Sequence, residues 1–299
     1  LTGNTNVTLD LSAYSGDEVT VTKNIAGGHY YGVANGGNSN LKTREITGTA
    51  SVSINGNDKV TYSGIIVGGS YITGADDNST VKTGASKVEI LGGKFSNFVV
   101  GGNYTTKKVA STAGSSSVTI SGGEFADGMG TGPHALYNYL IVGGSMLHAS
   151  TDGTSFDSDS TAVKITGGSI GTDIYGGHVD FSSQAGSHAL TANVDKVTVT
   201  LDGADAQVLN IYGGSFTTRD NANVTITQGD VLVDLIAGTI NGNVYAGGRQ
   251  VHNSKISTES TEVRLSKDVS FSSTTAVVSG GYQIGCASDS RDNPSTVTS

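Results

Sequence analysis

Along this chain apolar and polar residues alternate in short runs that return at a near-constant spacing. Lys87-Val-Glu-Ile90, Ser117-Val-Thr-Ile120 and Ala162-Val-Lys-Ile165 place an apolar residue at every second position. Ser51-Val-Ser-Ile54, Lys196-Val-Thr-Val199 and Val263-Arg-Leu265 repeat the pattern more weakly. A period of two is that of a strand with one buried face. A second apolar run ends each time in a glycine pair: Asn24-Ile-Ala-Gly-Gly28, Ile65-Ile-Val-Gly-Gly69, Phe98-Val-Val-Gly-Gly102 and Leu140-Ile-Val-Gly-Gly144. It continues as Asp173-Ile-Tyr-Gly-Gly177, Asn210-Ile-Tyr-Gly-Gly214, Val244-Tyr-Ala-Gly-Gly248 and Val277-Val-Ser-Gly-Gly281. Shorter runs such as Thr80-Val-Lys-Thr83 and Asn223-Val-Thr-Ile226 lie between them. No window sustains a 3.6-residue period, and no capping box introduces a helix.

The first glycines of the pairs, 27, 68, 101, 143, 176, 213, 247 and 280, are 33 to 42 residues apart. Such a period marks one supersecondary unit copied many times, each copy unable to bury its apolar face alone. Three strand-like pieces per copy predict an all-β chain, a right-handed parallel β-helix (β-solenoid) of about eight coils of three strands each. Equivalent residues then stack at ~4.8 Å. Ile25, Ile66, Val99, Ile141, Ile174, Ile211 and Val278 form an inward ladder, with Tyr245 as the exception. Tyr30, Tyr71, Tyr104, Met146, Val179 and Phe216 form another two residues past each pair. The glycines suit corners where φ is positive or the strand bulges. The alternative is a kelch-like β-propeller, since apolar residues before Gly-Gly with a nearby Tyr are similar to its signature. A kelch blade needs ~50 residues and four strands, and the expected Trp is missing from a chain that has none.

This reading divides the chain into residues 1–23, strands that could cap the first coil, the repeat region 24–286, and a polar tail or linker, 287–299. The insertions at 35–40 and 126–138 fall between strands, as surface loops allow. An uncapped β-helix end exposes unpaired strands and invites another chain to add, so either a fragment of a longer helix or an end-stacking subunit is expected.

The repeated Val-x-Ile-x-Gly-Gly-x-Phe followed by Ile-Tyr-Gly-Gly resembles the Gly-rich passenger regions of bacterial autotransporters and related adhesin-like surface proteins. The resemblance covers about residues 20–285. It implies export, a rod, and adhesion or surface architecture, and it implies no catalytic residues. A chain of 299 residues that opens at Leu1, with one cysteine and polar positions rich in Ser, Thr, Asn and Gly, fits a processed bacterial surface protein. The net charge of -9 and the absence of a Lys/Arg run argue against nucleic acid and anionic membranes. No stretch is long and apolar enough to span a bilayer.

Candidate chemistry is sparse. A polysaccharide-cleaving β-helix needs carboxylates a few ångströms apart. Asp173 aligns with Asn210 rather than with another acid, Asp76, Asp77, Asp152, Asp157 and Asp159 fall in loops, and Asp230 and Asp234 are the nearest pair on one coil. His29 and His178 share the slot after the glycine pair but lie four coils apart, too far to share a zinc. Cys286 lacks a partner histidine in a nucleophile motif and reads as a small apolar residue. No catalytic residue, metal site or cofactor is expected.

The sharper signal is a row beside the inward ladder. If the residue two before Gly-Gly faces in, its neighbour should face out. That row is Val67, Val100, Val142, Tyr175 and Tyr212, with Tyr245 joining if Ala246 is an insertion. It is a candidate contact face unless loops cover it or a bulge flips the parity. The expected role is a non-enzymatic extracellular fibre, coat or adhesin that associates with itself, end to end or laterally, or with cell-surface glycans. The alternative is a carbohydrate-active enzyme or glycan-binding module.

Overall fold

The Val-x-Ile runs lie side by side and set the architecture. The computed structural model describes residues 1–31, 43–74, 79–126, 140–148, 153–181, 189–217, 223–250 and 254–284. Each run belongs to a longer strand: Thr43–Gly56, Ser79–Gly92, Val109–Ile120, Thr154–Ile165, Leu190–Val208, Val224–Ile240 and Lys255–Phe271. These pair in parallel, one repeat apart. Val52, Val88, Val118, Val163, Val199, Val233 and Val263 thereby form one column. Ile54, Ile90, Ile120, Ile165, Leu201, Leu235 and Leu265 form the next. Like side chains meet like, so one packing solution serves every level.

Within Ser79–Gly92 the buried positions are 79, 81 and 83, then 86, 88 and 90. Two successive residues, Gly84 and Ala85, do not point inward, and the strand changes parity there. Thr80-Val-Lys-Thr83 and Lys87-Val-Glu-Ile90 are therefore two limbs of one strand rather than separate pieces. The same step recurs in Thr154–Ile165 and Leu190–Val208.

Three sheets result: a long one of 13 strands and two of eight strands, all described pairings being parallel. The all-β parallel stack is consistent with a β-solenoid. It does not fit a propeller, whose blades are antiparallel. Thr5–Leu11 pairs in register with Thr43–Gly56, and Val19–Val21 with Val60–Tyr62.

The strands before each glycine pair form the first short sheet (Ile66–Val67, Val99–Val100 and their equivalents). Those after it form the second (Tyr71–Ile72, Tyr104–Thr105 and their equivalents). Between them the first glycines from Gly27 to Gly213 press on the long sheet. A Cβ on Gly101 would sit 3.0 Å from the Ser117 carbonyl carbon, and one on Gly176 would sit 2.7 Å from Val197 Cγ1 and 2.8 Å from Val199 Cγ2. The pairs serve close approach, and of these glycines Gly248 alone has the left-handed backbone that was one of the two conformations expected at the corners. Positive φ is found instead in the other glycine pairs, at Gly93, Gly123 and Gly168.

This contact splits the interior. The larger core lies between the second limb of the long strands and the first short sheet, and includes Val88, Ile90, Phe95 and Val99. Tyr62, Phe95 and Phe125 stack through it at 5.1 and 4.7 Å between ring centroids. Smaller cores lie between the first limb and the second short sheet, around Val81 with Ile72 and around Phe156 with Leu147. The Tyr245 exception disappears here. Val244 pairs with Ile211 and Val278, and Tyr245 pairs with Tyr212. The seventh corner is Ala246-Gly247, and Gly248 occupies the level of Ser215.

Candidate functional site

The row proposed as a contact face is buried. Val67, Val100, Val142 and Tyr175 are 0% exposed, Tyr212 is 2% exposed, and Tyr245 is half-buried. The row and the Ile ladder fall in two different apolar clusters, and the angle between the sheets keeps the row dry. Because the glycine vertex is driven against the long sheet, the two short sheets fold toward each other on their outer side. Val67, Tyr71, Val100 and Tyr104 then belong to a second apolar cluster that also holds Ile65, Phe98, Leu140 and Met146. Its aromatic members stack along the array, Tyr71 on Tyr104 and Tyr175 on Tyr212 on Tyr245, and the exposed Tyr30 stacks on Tyr71, with centroids 4.7 to 5.6 Å apart. Stacking of this kind adds about 0.5–1.5 kcal/mol per pair beyond burial. Burial raises the Tyr104 hydroxyl above its ordinary pKa, and it bonds His148 Nδ1 at 2.6 Å.

A second chain of contacts runs through the slot just past the vertex. The backbone N–H of His29 donates to Ser70 Oγ at 3.1 Å, that of Ser70 to Asn103 Oδ1 at 2.6 Å, and that of Asn103 to Ser145 Oγ at 3.0 Å. Ser145 N–H donates to His178 Nδ1, and His178 N–H to Ser215 Oγ, each at 2.9 Å. Ser215 Oγ–H then donates to Gln228 Oε1 at 2.7 Å, Gln228 Nε2 donates to Thr258 Oγ1 at 2.9 Å, and Thr258 meets the Tyr282 hydroxyl. From Ser70 to Gln228 every side chain in the series is at most 1% exposed. The shared slot of His29 and His178 was visible in the sequence. The ladder was not, because its members differ in type and share only a side-chain acceptor.

His178 is the titratable member. It is fully buried beside the Phe156 ring, and burial pushes its pKa down to about 4. Nδ1 accepts from Ser145 and Nε2 lies 3.2 Å from the Asn193 carbonyl, so the neutral ring carries its proton on Nε2. This is the wiring of a structural histidine rather than of a base facing a substrate.

Asp173 does align with Asn210, which donates Nδ2 to it at 2.8 Å. The carboxylate is wholly buried, accepts from Tyr175 Oη at 3.4 Å and lies 3.9 Å from Arg249. It is tied to neighbouring rungs. Asp230 and Asp234 are both off the buried face of Val224–Ile240, but four residue steps along the strand set their backbones about 13 Å apart. That exceeds the span of a glycosidase pair.

Asp157 and Asp159 are not in a loop but in the strand Thr154–Ile165. Asp159 and Asp195 occupy the same level of adjacent strands, between the pairs Ser158–Val194 and Ser160–Lys196. Glu259 follows after Gly229. Adjacent-coil acids therefore do occur, at the strand bend. They are exposed, whereas a carboxyl acting as an acid at neutral pH needs burial or a like-charged partner in a closed site.

Among the described residues no three His, Cys, Asp or Glu side chains form a metal-binding group, and no helix is long and apolar enough to cross a membrane. Cys286, Asp76, Asp77, Asp152, His134, His188, His252, the tail and most of the two insertions lie outside the described residues. No protein-family model matches this chain, and no curated protein or solved structure matches it either.

Proposed function

We propose that the chain is a non-enzymatic extracellular structural or adhesive protein of a bacterial surface, built as a right-handed parallel β-helix of about eight coils. The observation that carries this reading is the use made of buried polar groups. The side chains best placed for chemistry, His178, Asp173, Gln228 and Asn103, bond successive levels of the array. A buried polar network fully engaged in this way fixes register and rigidity, which is what a scaffold needs. The two eight-stranded sheets support the coil count, and the Gly-rich repeat supports the autotransporter-passenger or adhesin resemblance. With the Val–Tyr row inside, lateral contact falls to the polar outer face of the long sheet, which suits glycans or a neighbouring rod better than an apolar partner.

The row Asp159, Asp195 and Glu259 favours one second reading, a carbohydrate-active surface at the bend. A reducing-sugar release assay over a panel of plant, fungal and bacterial polysaccharides separates the two. The expected result is no release above the buffer rate. Release that vanishes in Asp195→Asn or Glu259→Gln would replace the structural reading with an enzymatic one.

A further inference from the structure

We propose that Asn241, followed by Gly242, is a site of spontaneous deamidation, where asparagine converts to aspartate and isoaspartate while the same dipeptide at Asn55-Gly56 stays intact. The inference does not depend on the function proposed above.

The reaction needs a backbone nitrogen that can reach the carboxamide carbon of the preceding residue. The Gly242 nitrogen loses its proton and attacks Asn241 Cγ, the carboxamide nitrogen leaves as ammonia, and a cyclic imide remains. Water opens the imide at one carbonyl to give aspartate, or at the other to give isoaspartate, whose main chain runs through Cβ. Each event consumes one water and releases one ammonia. Glycine permits the approach because no Cβ shields its nitrogen. Asparagine is for this reason among the thermolabile residues of proteins. The sequence holds three Asn-Gly pairs, at 35, 55 and 241, and the first lies outside the described residues.

The other two have opposite surroundings. Asn241 follows the strand Val224–Ile240 at a corner of an internal rung, since Ile240 pairs with Val208 on one side and Phe271 on the other. Asn241 is exposed, and neither its carboxamide nor the Gly242 N–H has a hydrogen-bond partner among the described residues. The flanks are held: Asn241 N–H donates to the Val208 carbonyl and Asn243 N–H to Asn210 Oδ1, each at 2.7 Å. The reacting atoms are thus free between two fixed points. Asn55 lies within the strand Thr43–Gly56, between Asp10 and Gly92. Gly56 is buried and paired with Leu11, and a Cβ there would meet Gly93 Cα and the Tyr62 ring at 3.2 Å. That strand must open locally before the Gly56 nitrogen can turn toward Asn55 Cγ.

The product affects the neighbouring rung. Gly242 sits so close to Asn210 that a Cβ on it would overlap Asn210 Oδ1. The extra main-chain carbon of isoaspartate must be absorbed at this contact, and it draws Asn243 away from Asn210. Asn210 is also the residue that holds Asp173, through Nδ2 at 2.8 Å. Isoaspartate therefore loosens the corner, whereas aspartate, which adds charge at an exposed position without lengthening the chain, leaves it in place.

Mass spectrometry of tryptic peptides tests this on the full chain aged in mildly alkaline buffer. Cleavage after Lys23, Lys42, Arg44, Lys59, Arg219 and Arg249 puts the three pairs in separate peptides, and fragmentation locates the change within each. Residue 241 is expected to gain one mass unit, as separable aspartate and isoaspartate forms, at least about tenfold faster than residue 55. In denaturant the two rates converge, because the dipeptides are the same. Aged protein unfolds at lower denaturant than fresh protein, while Asn241→Asp unfolds with the parent. A residue 241 that stays unmodified, or that reacts no faster than residue 55, would overturn the site. Aged protein as stable as fresh, or an Asn241→Asp chain as weakened as the aged one, would overturn the coupling to Asn210.

Discussion

Gly176→Ala should lower the unfolding free energy by about 3 kcal/mol, while Gly280→Ala, at the equivalent corner of the last rung, should cost less than about 0.5 kcal/mol. Both glycines open the same repeated corner, and their surroundings differ. A methyl on Gly176 would lie 2.1 Å from the Gly213 carbonyl oxygen, 2.7 Å from Val197 Cγ1 and 2.8 Å from Val199 Cγ2. The carbonyl is held in the sheet, because it belongs to the next corner. Both valines are fully buried or nearly so, and β-branched side chains have little rotamer freedom with which to give way. The methyl must therefore push the corner off the long sheet, which opens the contact that divides the two cores. At Gly280 the nearest atom is Thr261 Oγ1 at 3.7 Å, an ordinary contact. Ala246, which holds this corner one rung earlier, is a natural precedent: it faces the exposed last rung, whose strand can yield. Denaturant unfolding followed by far-ultraviolet circular dichroism gives both values. Equal costs at the two positions would show that the glycines are kept for backbone conformation and not for close approach.

Much of the fold was legible because a strand repeat writes its period directly. The Val-x-Ile runs gave the buried columns, and the alignment of Asp173 with Asn210 followed from counting to the glycine pair. Counting failed where a residue type, not a length, marked the corner. At the seventh copy the alanine is the corner, so anchoring on Gly247-Gly248 shifted every neighbour by one. Parity also has a limit. It assigns Val100 to the side opposite Val99, but whether that side is wet depends on the angle between two sheets, and the angle comes from Gly101 reaching Ser117 across 16 residues of chain. The alignment of Asp159 with Asp195 was hidden by the strand bend, where two successive residues point away from the core and a period-two count slips. The polar ladder was hidden for another reason: Ser, Asn and His look unlike one another in a sequence, and are equivalent only as acceptors facing the same N–H.

Acid should weaken the molecule through that ladder. The unfolded chain holds His178 near the ordinary value of 6.5, and the folded chain holds it at about 4. Above pH 6.5 the ring is neutral in both states and the linkage is silent. Between pH 6.5 and 4 the unfolded state binds the proton and the folded state does not, so stability falls as pH falls through that window. The difference amounts to about 3 kcal/mol, lost in full once pH drops below the folded value. The structural cause is specific. Protonating Nδ1 replaces an acceptor with a donor opposite the Ser145 N–H, 2.9 Å away, and leaves two donors facing each other in a dry interior. His29 and His148 are also pushed down by burial and act in the same direction, so the wild-type profile alone does not isolate His178. His178→Asn does. Asn103 shows that an amide oxygen fills the same role at this slot, taking the Ser70 N–H at 2.6 Å. The variant should lose about 1–2 kcal/mol at pH 7.5 through lost packing on Phe156, and most of the slope between pH 6.5 and 4 should vanish. Unfolding curves at half-unit pH steps decide the matter. An asparagine variant that keeps the parent slope would place the acid sensitivity elsewhere and remove His178 from the ladder's energetics.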